Sequence, residues 1–330
     1  MTPDTARLLD PEDIIKARDV NKLKRSDYWF DDGNIILQAQ NTQFRVHRSI
    51  LARNSNVFRD MFSLPKGSDE EPLIEGCVVV RVADEPNHWD RFNMLTVIFY
   101  PSRMFQRTDT GPLINFLATM LIMGKKYEFD KIRANALHWL SVELPNSLQA
   151  WDRQFHGYAP RRIPGLEFNV VRLVIQEELN GFLPAAYFAC LRFRSTAEIM
   201  SGSLRQDGSR IVLSNSSKAD LIYAGESLSA AMSECTYGLL HGSKNIIPGA
   251  NCASPTKCTN IRLKKLDTQF VTFPPSPKFS LDPCPKWITD EFCEPCATMF
   301  RTAFEAGRNR IWLELPQHFR MAGWDGLKYQ

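Results

Sequence analysis

Seven of the eight cysteines lie after Pro145: Cys190, Cys235, Cys252, Cys258, Cys284, Cys293 and Cys296; only Cys77 precedes it. Charge changes at the same place. Residues 1–144 hold 19 Lys and Arg against 20 Asp and Glu, a net of −1, whereas residues 145–330 hold 21 against 17, a net of +4. Halves that differ in both respects read as two folding units, and 330 residues suffice for two cores. In a reducing compartment such cysteines serve as small buried hydrophobes or metal ligands more often than as disulfides.

A chain that is 44% hydrophobic and 23% charged is globular rather than disordered or fibrous. Its net charge of +3 is too balanced for the electrostatic footprint that phosphate backbones demand, which argues against a nucleic-acid partner. Residues 1–13 carry Asp4, Asp10, Glu12 and Asp13 with no apolar core, unlike a secretory signal or transit peptide. The longest apolar stretch, Leu113 to Gly124, is shorter than the roughly 20 residues of a membrane span. The expectation is a soluble intracellular protein of cytoplasm or nucleus, with Asn215-Ser216-Ser217 a polar helix start rather than a glycosylated sequon.

Along the first half, Ile35-Ile36-Leu37 and Phe44-Arg45-Val46 read as a strand hairpin turning at Asn41-Thr42. From His47 the pattern becomes helical. Ser55 is placed to cap a second helix, with Phe58, Met61 and Phe62 on one face and Pro65 as its stop. Lys66 to Gly76 is a polar loop, and Cys77 to Val82 reads as a central, well-buried strand. Phe92, Leu95, Phe99 and Tyr100 predict the next helix, stopped by Pro101. Leu113, Phe116, Leu117, Met120, Leu121 and Gly124 predict another, and Ile132, Ala136, Trp139 and Leu140 one more.

This order, with Asp31-Asp32-Gly33, Phe44-x-x-His47-Arg48-x-x-Leu51, Ser55-x-x-Phe58-x-x-Met61-Phe62, Phe99-Tyr100 and Lys126-Tyr127, resembles the BTB/POZ domain in the form expanded in fungi. Asp32, fifteen residues before His47, matches the spacing better than Asp27. The resemblance implies an α+β module, a short mixed sheet flanked by helices, over residues 25–144, after an amino-terminal tail of residues 1–24. It implies a protein-interaction role through self-association and, in some members, service as substrate adaptor for a cullin-type ubiquitin ligase. The signature residues Asp32, Phe44, His47, Leu51, Ser55, Phe58, Phe62, Tyr100 and Tyr127 are then structural. His47 is expected to be a buried histidine that fixes the strand-to-helix turn through backbone hydrogen bonds rather than a ligand or base.

Residues 145–330 read as mainly α-helical. Helices are predicted around Leu148 to Trp151, over Leu166 to Leu179 and over Pro184 to Arg194. Another starts at Ser217 with Leu221, Ala224, Leu228, Ala231, Cys235 and Leu239 on its packed stripe, up to Gly242. Residues 244–285 are expected to be loop, with Arg262, Lys264 and Lys265 a solvated basic cluster. A last helix runs from Pro295 to its stop at Pro316. The ending Gly307-Arg308, Ile311-Trp312-x-Glu314-Leu315-Pro316-x-x-Phe319, Trp324 and Leu327 is similar to the tail of the same fungal proteins.

The sharpest chemical motif is Cys293-Glu294-Pro295-Cys296. Such a pair supplies two of the four donors of tetrahedral zinc, with Cys284 first, and Cys258, Cys252 or His318, as completions. Core packing is the competing role, because Cys296, Phe300 and Phe304 share a helical face. Thiol redox catalysis is a third reading, since two cysteines at a helix start are similar to those of thiol oxidoreductases, but no βαβ context precedes Cys293. Phosphate loops, His-Glu-x-x-His and Gly-x-Ser-x-Gly elbows are absent from the sequence. The expectation is a non-enzymatic protein-binding protein without a cofactor, with structural zinc at Cys293, Cys296 and Cys284 as the alternative.

Overall fold

The computed structural model describes residues 23–64, 73–98, 110–155, 166–205, 208–241, 244, 246–268 and 276–329. The chain divides into two compact units, Met1–Ala136 and Leu137–Gln330.

The first unit is built on a five-stranded mixed sheet. Strands β1 (Lys24–Trp29), β2 (Ile35–Ala39), β3 (Thr42–Val46), β4 (Leu73–Ile74) and β5 (Cys77–Val82) lie in the order β1-β3-β2-β5-β4. The expected hairpin is β2 and β3, antiparallel with Leu37 opposite Phe44. Its tight turn uses Gln40 at φ 51°, the left-handed region. Strand β1 runs parallel to β3 on one edge, and β5 runs parallel to β2. The most buried strand is β2, where Ile35, Ile36, Leu37 and Ala39 are inaccessible. Strand β5 differs from expectation: only Cys77 is fully buried, because its outer neighbour β4 is two residues long and covers little of it.

Helices α1 (Arg48–Asn54), α2 (Asn56–Ser63), α3 (Pro86–Ile98), α4 (Thr110–Lys126) and α5 (Asp130–Glu143) complete this part of the chain. The core gathers Leu37, Phe44, Leu51, Phe58, Trp89, Phe92, Met123, Tyr127 and Phe129. Pro65, Phe99, Tyr100, Pro101, Gly242 and most of the tail 1–24 lie outside the described residues, as do the side chains of Leu95 and Leu113.

The second unit is mostly helical: α6 (Leu148–Phe155), α7 (Leu166–Gln176), α8 (Leu183–Phe193), α9 (Thr196–Ser201), α10 (Asn215–Cys235), α11 (Pro255–Asp267), α12 (Lys286–Thr289), α13 (Glu294–Leu313) and α14 (Leu315–His318), with a small hairpin of β6 (Ser203–Leu204) and β7 (Arg210–Ile211). Helix α8 is buried on every side from Leu183 to Leu191, the signature of a central helix.

Three expectations change here. Helix α10 starts before Ser217: Ser214 is its cap, accepting from the Ser217 N–H at 3.1 Å, while the Ser217 hydroxyl accepts from Tyr187 inside the core. The stretch expected as loop 244–285 contains α11, three and a half turns long. Its buried face is Cys258, Arg262 and Lys265, so hydropathy gives no apolar stripe to read. Pro316 sits in the first turn of α14 rather than simply ending α13, consistent with proline's missing N–H.

Candidate functional site

In the first unit Ser55, Phe58, Phe62, Tyr127, Phe44 and Leu51 of the signature belong to the scaffold. The Ser55 hydroxyl accepts from the Phe58 N–H at 3.0 Å and donates to the Tyr127 carbonyl at 2.5 Å, so one buried oxygen caps α2 and ties it to the end of α4. The Phe58 ring stacks on Tyr127 with centroids 5.0 Å apart, and Phe62 flanks it at 5.7 Å. Phe44 and Leu51 are core. Below them lies a polar knot. The buried Asp84 carboxylate accepts from Trp89 Nε1 at 3.1 Å, Lys126 Nζ at 2.6 Å and the Tyr127 hydroxyl. Burial, then the bond to Asp84, pushes the Tyr127 hydroxyl far above its ordinary pKa.

His47 departs from expectation. Its carbonyl receives the N–H groups of Ile50 and Leu51, but its ring is partly exposed and reaches the Asp32 carboxylate, Nε2 to Oδ2 at 3.1 Å. That hydrogen bond holds Asp32 below the usual carboxylate range. The fifteen-residue spacing is thus a side-chain contact that pins the approach to β2 against the start of α1.

In the second unit four thiols converge. The sulfurs of Cys252, Cys258, Cys293 and Cys296 all lie within 4.8 Å of one another, with Cys252 and Cys293 3.6 Å apart. They come from three places: the segment before α11, the first turn of α11, and the N-cap and first turn of α13. Cys258 and Cys296 are buried; Cys252 and Cys293 are half-buried. The Gly249 N–H donates to the Cys296 sulfur at 3.4 Å. The N–H of Cys296 is the largest influence holding the Cys293 thiol down to about 6, whereas burial pushes Cys296 up to about 12 and Cys258 upward as well.

Cys284, the expected third donor, lies outside this group. Its N–H donates to Glu305 Oε1 at 3.1 Å, and burial, then the charge of Glu305, pushes its thiol up to about 12. His318 is also elsewhere, with Nδ1 2.7 Å from the Ser227 hydroxyl. The donors that replace them, Cys252 and Cys258, are six residues apart, a spacing that carries little signal until α11 folds and places Cys258 in its first turn. Cys235 is only half-buried at the end of α10.

Of the three cations expected to be solvated, Lys264 is exposed, whereas Arg262 and Lys265 are buried and structural. Arg262 Nη1 donates to the Leu240 carbonyl at 2.6 Å, and Lys265 Nζ donates to the Trp287 carbonyl and to Glu291. In the carboxy-terminal motif Arg308 is buried and donates to the Leu281 carbonyl at 2.8 Å, to Glu305 at 2.7 Å and to Asp152. Trp312 packs on Trp151 and stacks on Trp324, with centroids 5.8 and 5.5 Å apart. The motif therefore locks α13 to α6 and to the chain end.

Among the described residues no helix is long and apolar enough to cross a membrane. The sequence profile of the BTB/POZ domain matches residues 21–135, which gives the first unit its family: this chain carries a BTB/POZ domain, a protein-interaction module, followed by a mostly helical region. No curated protein matches the chain.

Proposed function

We propose that this chain is a non-enzymatic interaction protein that self-associates through its BTB/POZ domain and presents the second unit to a client, as an intracellular substrate adaptor of a cullin-type ubiquitin ligase. The observation that carries the reading is the BTB/POZ match over residues 21–135. Two further features support it. The signature side chains Phe44, Leu51, Phe58 and Tyr127 are spent on internal packing, which leaves the surface of the domain as its working part. That surface exposes Ile50, Leu64 and Leu73, large apolar residues on α1, after α2 and on the edge strand β4.

Light scattering of the purified full chain tests self-association: the expected result is twice the chain mass over a range of concentrations. A single-chain mass even at high concentration would defeat it. The adaptor role is tested with a purified cullin, expected to co-elute with the full chain and to be lost with Ile50→Asp and Leu64→Asp together. Self-association without cullin binding would leave an oligomerisation scaffold and remove the ligase from the proposal.

A further inference from the structure

We propose that Cys252, Cys258, Cys293 and Cys296 hold one zinc ion in a closed tetrathiolate site that fastens the segment before α11 to the amino-terminal ends of α11 and α13. This site is independent of the adaptor reading, since the four residues lie outside the BTB/POZ match.

The donor set itself points to zinc. Four soft donors gather from positions up to 44 residues apart in sequence (296 − 252), and no other group of three or more His, Cys, Asp or Glu among the described residues converges in this way. Zinc favours tetrahedral sulfur ligation, and four protein ligands leave no open position, which makes the site structural rather than catalytic. The size of the cluster agrees. A tetrahedron with Zn–S bonds of about 2.3 Å has sulfur–sulfur edges of about 3.8 Å. The Cys252–Cys293 separation of 3.6 Å already lies near that edge. Since every other pair lies within 4.8 Å, binding requires a contraction of at most about 1 Å.

The surrounding shell suits the charge such a site would carry. Binding forms four Zn–S bonds while the thiol protons leave to solvent, so four thiolates and one dication leave a complex of net charge 2−. Such a complex needs donors around its sulfurs. The Gly249 N–H already donates to the Cys296 sulfur at 3.4 Å. Two helices contribute as well: Cys258 is in the first turn of the 13-residue α11, and Cys293 and Cys296 are the N-cap and third residue of the 20-residue α13. Both amino-terminal ends favour negative charge.

The test is metal analysis of the full chain, expressed with zinc in the medium and purified under reducing conditions without chelator. The expected content is about one zinc per chain, falling to less than about a fifth in Cys296→Ser and Cys252→Ser and unchanged in Cys284→Ser. Because a cluster variant can fail to fold, the wild-type chain is also stripped and titrated with Co²⁺. It should take up about one equivalent, show the ligand-field bands of a tetrahedral thiolate site, and release the cobalt to stoichiometric zinc. A reduced full chain that holds neither zinc nor cobalt would overturn the proposal. So would peptide mapping that finds Cys252 and Cys293 joined as a disulfide in freshly prepared protein. One equivalent of iron in place of zinc would overturn the metal assignment.

Discussion

Asp84 shows how much a single buried carboxylate can hold. Three donors from α3 and the end of α4 converge on it, so truncation removes a charge-assisted bond to Lys126 and strands the Trp89 and Tyr127 donors in the core. Asp84→Ala should cost about 3 kcal/mol in urea unfolding, and Tyr127→Phe, which removes one donor and leaves Asp84 two others, about 1 kcal/mol. Equal costs would mean that the tyrosine hydroxyl alone carries the knot. His318 adds a pH dependence at the same scale. Its ring is buried, with Nε2 unpartnered and Nδ1 on Ser227, and desolvation lowers its pKa against a smaller opposing influence from Glu314. A histidine whose folded pKa is depressed takes its proton first in the unfolded chain. Its contribution is therefore intact above about pH 6.5 and is lost as pH falls from there through the folded value. Urea midpoints from pH 7.5 to 5 should decline less steeply in His318→Gln; an unchanged slope would place the sensitivity elsewhere.

Two glycines test the helix packing in opposite directions. A Cβ on Gly307 of α13 would lie 1.8 Å from the carbonyl oxygen of Cys235 at the end of α10, a backbone clash that no rotamer relieves. Gly225, within α10, has nothing within 4 Å of the same position. Alanine gains about 1 kcal/mol of helix propensity at either site. Gly225→Ala should therefore stabilise by about 0.5–1 kcal/mol, whereas Gly307→Ala should lose about 2 kcal/mol net as the helices are forced apart. Thermal melts showing the same sign for both would refute this account of the α10–α13 contact. What the sequence reveals of these elements follows from how each is stabilised. Strands β2 and β3, the Ser55 cap and the first part of the α10 stripe, Leu221, Ala224 and Leu228, are legible because local chemistry and burial agree, whereas α10 ends at Cys235, short of the expected Leu239. Helix α11 is not, because it buries Arg262 and Lys265, whose partners, Leu240, Trp287 and Glu291, come from distant segments. The thiol cluster is half legible for the same reason. Cys293 and Cys296 are a local pair on one helix start, but Cys252 and Cys258 join them only through the fold, and the nearer Cys284 is drawn to Glu305 instead. His47 is readable as a structural residue, but its partner Asp32 lies across the hairpin.

At the scale of the whole chain, each unit closes a core of its own: Phe44, Phe58, Trp89 and Tyr127 in the first, Phe188, Phe300, Phe304 and Trp312 in the second. Separate cores predict separate cooperative transitions, since stability lost in one set of contacts need not propagate to the other. Calorimetry of the full chain should resolve two. Asp84→Ala should lower only the first unit's transition, by about 10 °C for about 3 kcal/mol in a unit of this size. Gly307→Ala should lower only the other, and so should stripping of zinc from the proposed tetrathiolate site, because a metal bound to the folded state alone adds its binding free energy to that state. The three perturbations thus form a pattern. One transition that moves with all three would mean that the chain unfolds as a single cooperative body. Two transitions that both move on metal removal would mean that the site braces more than the second unit.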